Sequence, residues 1–231
     1  MPRLFDWFDR QKGSEYSMGG RGSSYTRNGA TGGVSGADIV STTSLISMRE
    51  DGKQTEVDQV LTVLRSVMDD FGVDLNDVQI AILKGAGMSA MAYYDSNNNL
   101  AINEAYFDST KMDSAYDACV TSGFHPGRGD KSAMEAVAAH EAGHRLTEEA
   151  GIKAGLGHWQ LDRVAGDIVK TVSQRMGYRS DVALTSQISG YATHDNSEAI
   201  AEAFSDVYCN GANASKASQE IIKELRTRLG R

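Results

Sequence analysis

Two of the five histidines in this 231-residue chain bracket a glutamate, in the run His140-Glu141-Ala142-Gly143-His144. Residues four apart on an α-helix share one face. Two imidazoles so placed can bind one zinc ion while Glu141 points at the metal-bound water. Zinc brings the pKa of such a water to about 7, and the glutamate takes its proton as it attacks a carbonyl. A catalytic zinc needs a third protein ligand and an open position. A third histidine six residues after His144 would complete one arrangement, but position 150 is alanine. His158 and His194 lack supporting spacing. Carboxylates are the better source: Glu198, Glu202 and Asp206 fall at i, i+4 and i+8, beside apolar Ile200, Phe204 and Val207. Three acids in register are costly to bury unless a cation or hydrogen-bond donors face them. The pattern favours one glutamate as ligand, with the next acid along orienting a zinc-bound imidazole.

These residues need helices to hold them. The run 131–149 has a strong helical pattern whose leading face, Met134, Val137 and Ala138, is apolar, as a buried site helix requires. Val57, Val60, Leu61, Leu64, Val67, Met68 and Phe71 also recur at helical spacing, with Gly72 as a stop. Residues 77–83 read as a strand. Residues 89–94 and 99–103 read as a hairpin around Asp95-Ser96-Asn97-Asn98. A helix near 109–121 is followed by a loop over 122–130. Further helices are expected near 159–176, 181–188, 196–209 and 214–228. Helix, small sheet, then several helices is an α+β order. The expected architecture is one mostly helical domain with a small sheet over 37–231, preceded by an arm over 1–36.

The arm rests on composition. Eight of the 24 glycines lie in the first 36 residues, mixed with serines, which predicts a flexible segment unable to bury a core. It carries five basic and three acidic residues; the remainder has 18 against 28, so the acidity of this chain, net charge −8, belongs to the folded part. That sign argues against a non-specific nucleic-acid binder. No apolar run is long enough for a membrane span, and the first ten residues lack the apolar core of a secretory signal. Leu4, Phe5, Trp7 and Phe8 are candidates for anchoring on another surface. Two cysteines, Cys119 and Cys209, exclude a disulfide scaffold and a cysteine-built zinc site.

The two motif helices carry a resemblance. His140-Glu141-x-Gly143-His144 together with Tyr191-Ala192-Thr193-x-x-Asn196-x-Glu198-x-x-Ala201-Glu202-Ala203-Phe204 resembles the gluzincin metallopeptidases of the anthrax lethal factor type and the related Pro-Pro endopeptidases. In those proteins a tyrosine precedes the ligand glutamate by seven residues and a second glutamate follows it by four. Tyr191, Glu198 and Glu202 match that spacing. The resemblance spans roughly residues 99–208 and is specific only over the two motif helices. It implies a zincin-like fold, zinc held by His140, His144 and Glu198, Glu141 as general base, and peptide or protein substrates. It also implies Tyr191 as hydroxyl donor to the developing oxyanion and Glu202 as a support behind a ligand. A competing register stays open: Glu202-Ala203-Phe204-Ser205-Asp206 looks like the thermolysin-type helix, with Glu202 on zinc and Asp206 supporting it. Met18-Gly19-Gly20-Arg21-Gly22-Ser23-Ser24 and Ser122-Gly123-Phe124-His125-Pro126 are similar to segments of bacteriophage minor head proteins and their metallopeptidase-like domains. This implies a virion or host-cytoplasmic location. It also implies an alternative function as a morphogenesis protein with a retained zinc fold, docked by its arm on capsid or connector proteins. A third reading is a regulator-cleaving peptidase; those usually pair with a helix-turn-helix, and no basic recognition helix is evident.

The remaining residues have plainer readings. His125, beside Pro126, either lines the cleft or closes its loop by hydrogen bonds. His158 and His194 read as surface residues, and Cys119 as core. Tyr93, Tyr94 and the strand 99–103 are candidates for a sheet edge along which a peptide could add as a strand, or for ordinary aromatic packing.

Overall fold

Helix α1 (Gln54–Phe71) buries Val57, Val60, Leu64, Val67 and Phe71, the face its spacing dictates. Gly72 ends it at φ +57°, a left-handed position that suits glycine, with its N–H on the Met68 carbonyl. The computed structural model describes residues 37–39, 54–75, 78–83, 91–94, 99–156 and 161–231. The expected arm over 1–36, the turn 95–98 and His158 lie outside them.

The sheet contains β1 (Ala37–Ile39), β2 (Gln79–Leu83), β3 (Ala92–Tyr94) and β4 (Asn99–Asn103), in the order β1-β2-β4-β3. The hairpin expectation holds: β3 and β4 are antiparallel, with Ala92 opposite Ile102 and Tyr94 opposite Leu100. β2 runs parallel to β4, so β4 is interior. The edge expected to include residues 99–103 is therefore formed by β3 alone. Long-range pairing covers β4, and no local pattern reveals that pairing.

Helices follow: α2 (Ser109–Thr121), α3 (Ala133–Lys153), α4 (Leu161–Arg175), α5 (Asp181–Thr185), α6 (Asn196–Asn210) and α7 (Lys216–Arg228). The described chain is mostly helical. None of its helices is long and apolar enough to cross a membrane. α3 is the central element, buried along nearly its whole length between α1, α2, α6 and α4. Its start is strongly set. Ser132 and Glu135 form a reciprocal capping box, and Asp113 accepts from the Ala133 N–H at 2.8 Å.

α3 packs most extensively on α6. At their crossing a Cβ on Gly143 would sit 2.8 Å from the Ala201 Cα and 3.2 Å from the Phe204 Cβ. Only the missing side chain lets the backbones come this close. That approach brings His140 and His144 of one helix against Glu198 and Glu202 of the other.

Candidate metal centre

His140, His144 and Glu198 each turn one ligand atom into a common buried space, all three atoms within 4.8 Å of one another. His140 Nε2 lies 3.1 Å and His144 Nε2 3.6 Å from Glu198 Oε2. Donor atoms about 2.0–2.2 Å from a tetrahedral zinc stand roughly 3.3–3.5 Å apart, so these separations fit. His140 Nε2, His144 Nε2 and Glu198 Oε2 are fully buried and make no aligned hydrogen bond among the described residues. Buried polar atoms ordinarily find partners, so three such atoms converging could hold a cation.

The rear nitrogens of both rings are held. His140 Nδ1 contacts Glu202 Oε1 at 2.9 Å, and His144 Nδ1 contacts Ser197 Oγ at 3.1 Å. Glu202 also receives His125 Nδ1, at 3.2 and 3.3 Å to its two oxygens, and the Ser189 hydroxyl at 2.6 Å. Burial pushes the Glu202 carboxyl up, but His125 and His140 outweigh it and hold it near 2. An ionised Glu202 can only accept, so Nδ1 of His140 carries a hydrogen, which leaves Nε2 as the nitrogen that would turn a lone pair to a cation on losing its own proton. Glu198 is likewise held near 2: burial raises it, and His144 and His140 outweigh that. For His140, burial favours the neutral ring, but Glu198 and Glu202 against its two nitrogens leave its pKa well above the ordinary value.

These placements separate the two registers. Glu202 sits behind His140, away from the Nε2 atoms. Asp206 accepts from the Ser215 N–H at 2.9 Å, the Ser218 hydroxyl at 2.6 Å and Asn210 Nδ2 at 2.9 Å, tying α6 to the start of α7. The register with Glu202 as ligand and Asp206 as its support finds neither residue in place. All three acids of the stripe are buried; Glu198 and Glu202 meet opposite nitrogens of His140, and Asp206 meets the start of α7.

Glu141 is buried beside this group, and neither carboxylate oxygen has an aligned hydrogen bond among the described residues. Burial pushes its pKa up to about 8; His140 opposes the rise, Glu198 adds to it, and the Tyr94 backbone opposes it. Since Tyr94 belongs to β3, the sheet edge runs past Glu141. Tyr191 lies in a short 3-10 turn, Tyr191–Thr193, just before α6. Its ring stacks near that of His140, 5.9 Å between centroids and 23° between planes. Burial, reinforced by Glu198, raises its phenol well above the ordinary value, so it stays a donor. The turn is pinned by paired backbone bonds, Gly190 N–H to the Gly123 carbonyl and Tyr191 N–H to that of Phe124.

His194 is exposed and pairs with Asp195 rather than joining the three, as its surface reading expects. Cys119 is in the core as expected, and Cys209 is buried too. Burial pushes both thiols up to about 12, which leaves them poor nucleophiles. Sequence reasoning missed Ser189 and Ser197. Ser197, adjacent to Glu198, carries no signal of its own; Ser189 shows only as a turn residue whose hydroxyl accepts from the Ala192 N–H. Comparison of the chain with known protein families, with curated proteins and with solved structures finds no match.

Proposed function

We propose that the chain is a zinc-dependent metalloendopeptidase of gluzincin type, acting on peptide or protein substrates. One observation carries the reading: three orphaned, buried lone-pair donors converge beside a buried glutamate that also lacks an aligned partner. His140 and His144 would hold the ion by Nε2 and Glu198 by Oε2. Zinc there would supply Lewis acidity toward water and a substrate carbonyl. Glu141 takes a proton from the attacking water and returns it to the amine nitrogen as the C–N bond breaks. To be ionised at neutral pH it needs a cation nearby, since burial alone favours its acid form. Tyr191 donates its hydroxyl hydrogen to the carbonyl oxygen as charge develops there. β3, an edge strand near Glu141 among the described residues, suits an extended peptide added as a strand.

The test is a metal analysis joined to a cleavage assay against a peptide library. The purified chain should hold one zinc, and Glu141→Gln should keep the zinc and lose cleavage. Absence of stoichiometric zinc, or unchanged cleavage by Glu141→Gln, would sink the reading.

A further inference from the structure

His125 is as buried as the ligand histidines, yet it lies in a loop 15 residues before the first of them and touches no ligand atom pointed at the site. We infer that His125 is a positioning residue: it clamps Glu202 so that Glu202 presents Oε1 to His140 Nδ1 and aims Nε2 of that ring into the metal site. The inference rests on the metal centre proposed above and adds to it a residue outside both motif helices.

The geometry supports a clamp. Nδ1 of His125 reaches both Glu202 oxygens, at 3.2 and 3.3 Å, and the Ser189 hydroxyl holds Oε2 at 2.6 Å. The carboxylate is thus gripped at both oxygens, with His140 Nδ1 at 2.9 Å from Oε1. His125 is itself fixed. Its ring stacks on Tyr116, 5.4 Å between centroids and 12° between planes. The Tyr116 hydroxyl donates to the Pro126 carbonyl, locking the next peptide. Phe124 and Tyr191 meet the His125 ring edge to face, at 4.8 and 5.5 Å. One imidazole therefore touches both the support of His140 and the ring of Tyr191. Without its N–H, Glu202 keeps only the Ser189 hydroxyl on Oε2 and His140 Nδ1 on Oε1. It is free to turn away from His140, whose ring is then free to rotate.

The experiment compares zinc binding by the full-length chain and its variants, by competition with a chromophoric chelator, without reference to cleavage. His125→Phe keeps the aromatic stack and removes the N–H; His125→Asn places an amide N–H close to where Nδ1 donates. His125→Phe should weaken zinc affinity by about tenfold or more, in the range found when partners behind metal ligands are removed. His125→Asn should recover most of the loss. Circular dichroism and the unfolding midpoint of the metal-free variants show whether each is folded. Wild-type affinity in folded His125→Phe overturns the inference and leaves the metal centre standing. So does His125→Asn binding no better than His125→Phe. A wild-type chain that binds no zinc overturns the metal centre itself, and this role with it. Zinc binding without cleavage removes only the peptidase reading.

Discussion

The two ends of α6 bury carboxylates in opposite surroundings. At the C-terminal end Asp206 receives three hydrogen-bond donors and ties α6 to α7. At the N-terminal end Glu198 Oε2 meets two imidazole nitrogens and makes no aligned hydrogen bond. Burial costs both acids the same kind of hydration, but Asp206 is repaid by fixed N–H and O–H donors, whereas Glu198 faces two imidazole nitrogens that can give up their protons to a cation. A buried acid met by fixed donors is tied in place, whereas one met by two titratable ring nitrogens could share a cation with them. Glu202, one turn from each, belongs with Asp206 by its donors and with Glu198 by what those donors hold in place.

The contrast can be broken experimentally. The largest expected effect is at the orphaned end. Glu198→Gln should lower zinc affinity by more than about 100-fold, beyond the range for partners behind ligands. Glu141→Gln should keep zinc and lower peptide cleavage by about 10²–10⁴-fold, the usual worth of a general base. Equilibrium dialysis and a fluorogenic peptide assay check the pair.

Next comes pH. Glu141 has a raised pKa when folded, about 8 against 4.5, so the folded metal-free chain holds a proton that the unfolded chain releases. Stability should therefore fall as pH rises from about 4.5 to about 8, by a few kcal/mol. His140, also raised, adds loss in the same direction at higher pH. Glu198 and Glu202, both depressed to about 2, act oppositely: their contribution is present above about 4.5 and lost toward 2. Urea unfolding of the metal-free chain at pH 5 and pH 8.5 should show the decline. Glu141→Gln should flatten it, and an identical decline in that variant would contradict the assignment.

Asp206→Ala removes a cap-like tie and leaves donors unpaired, which should cost about 2–3 kcal/mol of stability with zinc affinity unchanged. A drop in affinity matching that of Glu198→Gln would erase the distinction between the two ends of α6. The smallest effect is expected for Ser197→Ala, which strips the partner from His144 Nδ1. Zinc affinity should fall by about tenfold, and the unfolding midpoint of the metal-free chain should move little.

Local signals made the two motif helices and the hairpin legible. Period and capping residues identify α3, and the Tyr191-to-Glu198 spacing points to the glutamate that the fold places beside His140 and His144. What escaped depends on distant partners. β1 spans three residues, too few for any alternation to show. The interior place of β4 follows from parallel pairing with β2. His125 and Glu202 are 77 residues apart, so a loop histidine and a helix acid gave no hint that they meet. Roles set by tertiary contact, such as those of Ser189 and Ser197, have no period to read.

Gly143 has a further meaning for the three side chains that could hold an ion. It stands between the two histidines, and its absent Cβ sets the distance from α3 to α6 at a minimum. Any other residue there acts as a wedge and moves the histidine pair and the glutamate apart together. The spacing of His140, His144 and Glu198 is thus gauged by a backbone contact as well as by the three side chains themselves.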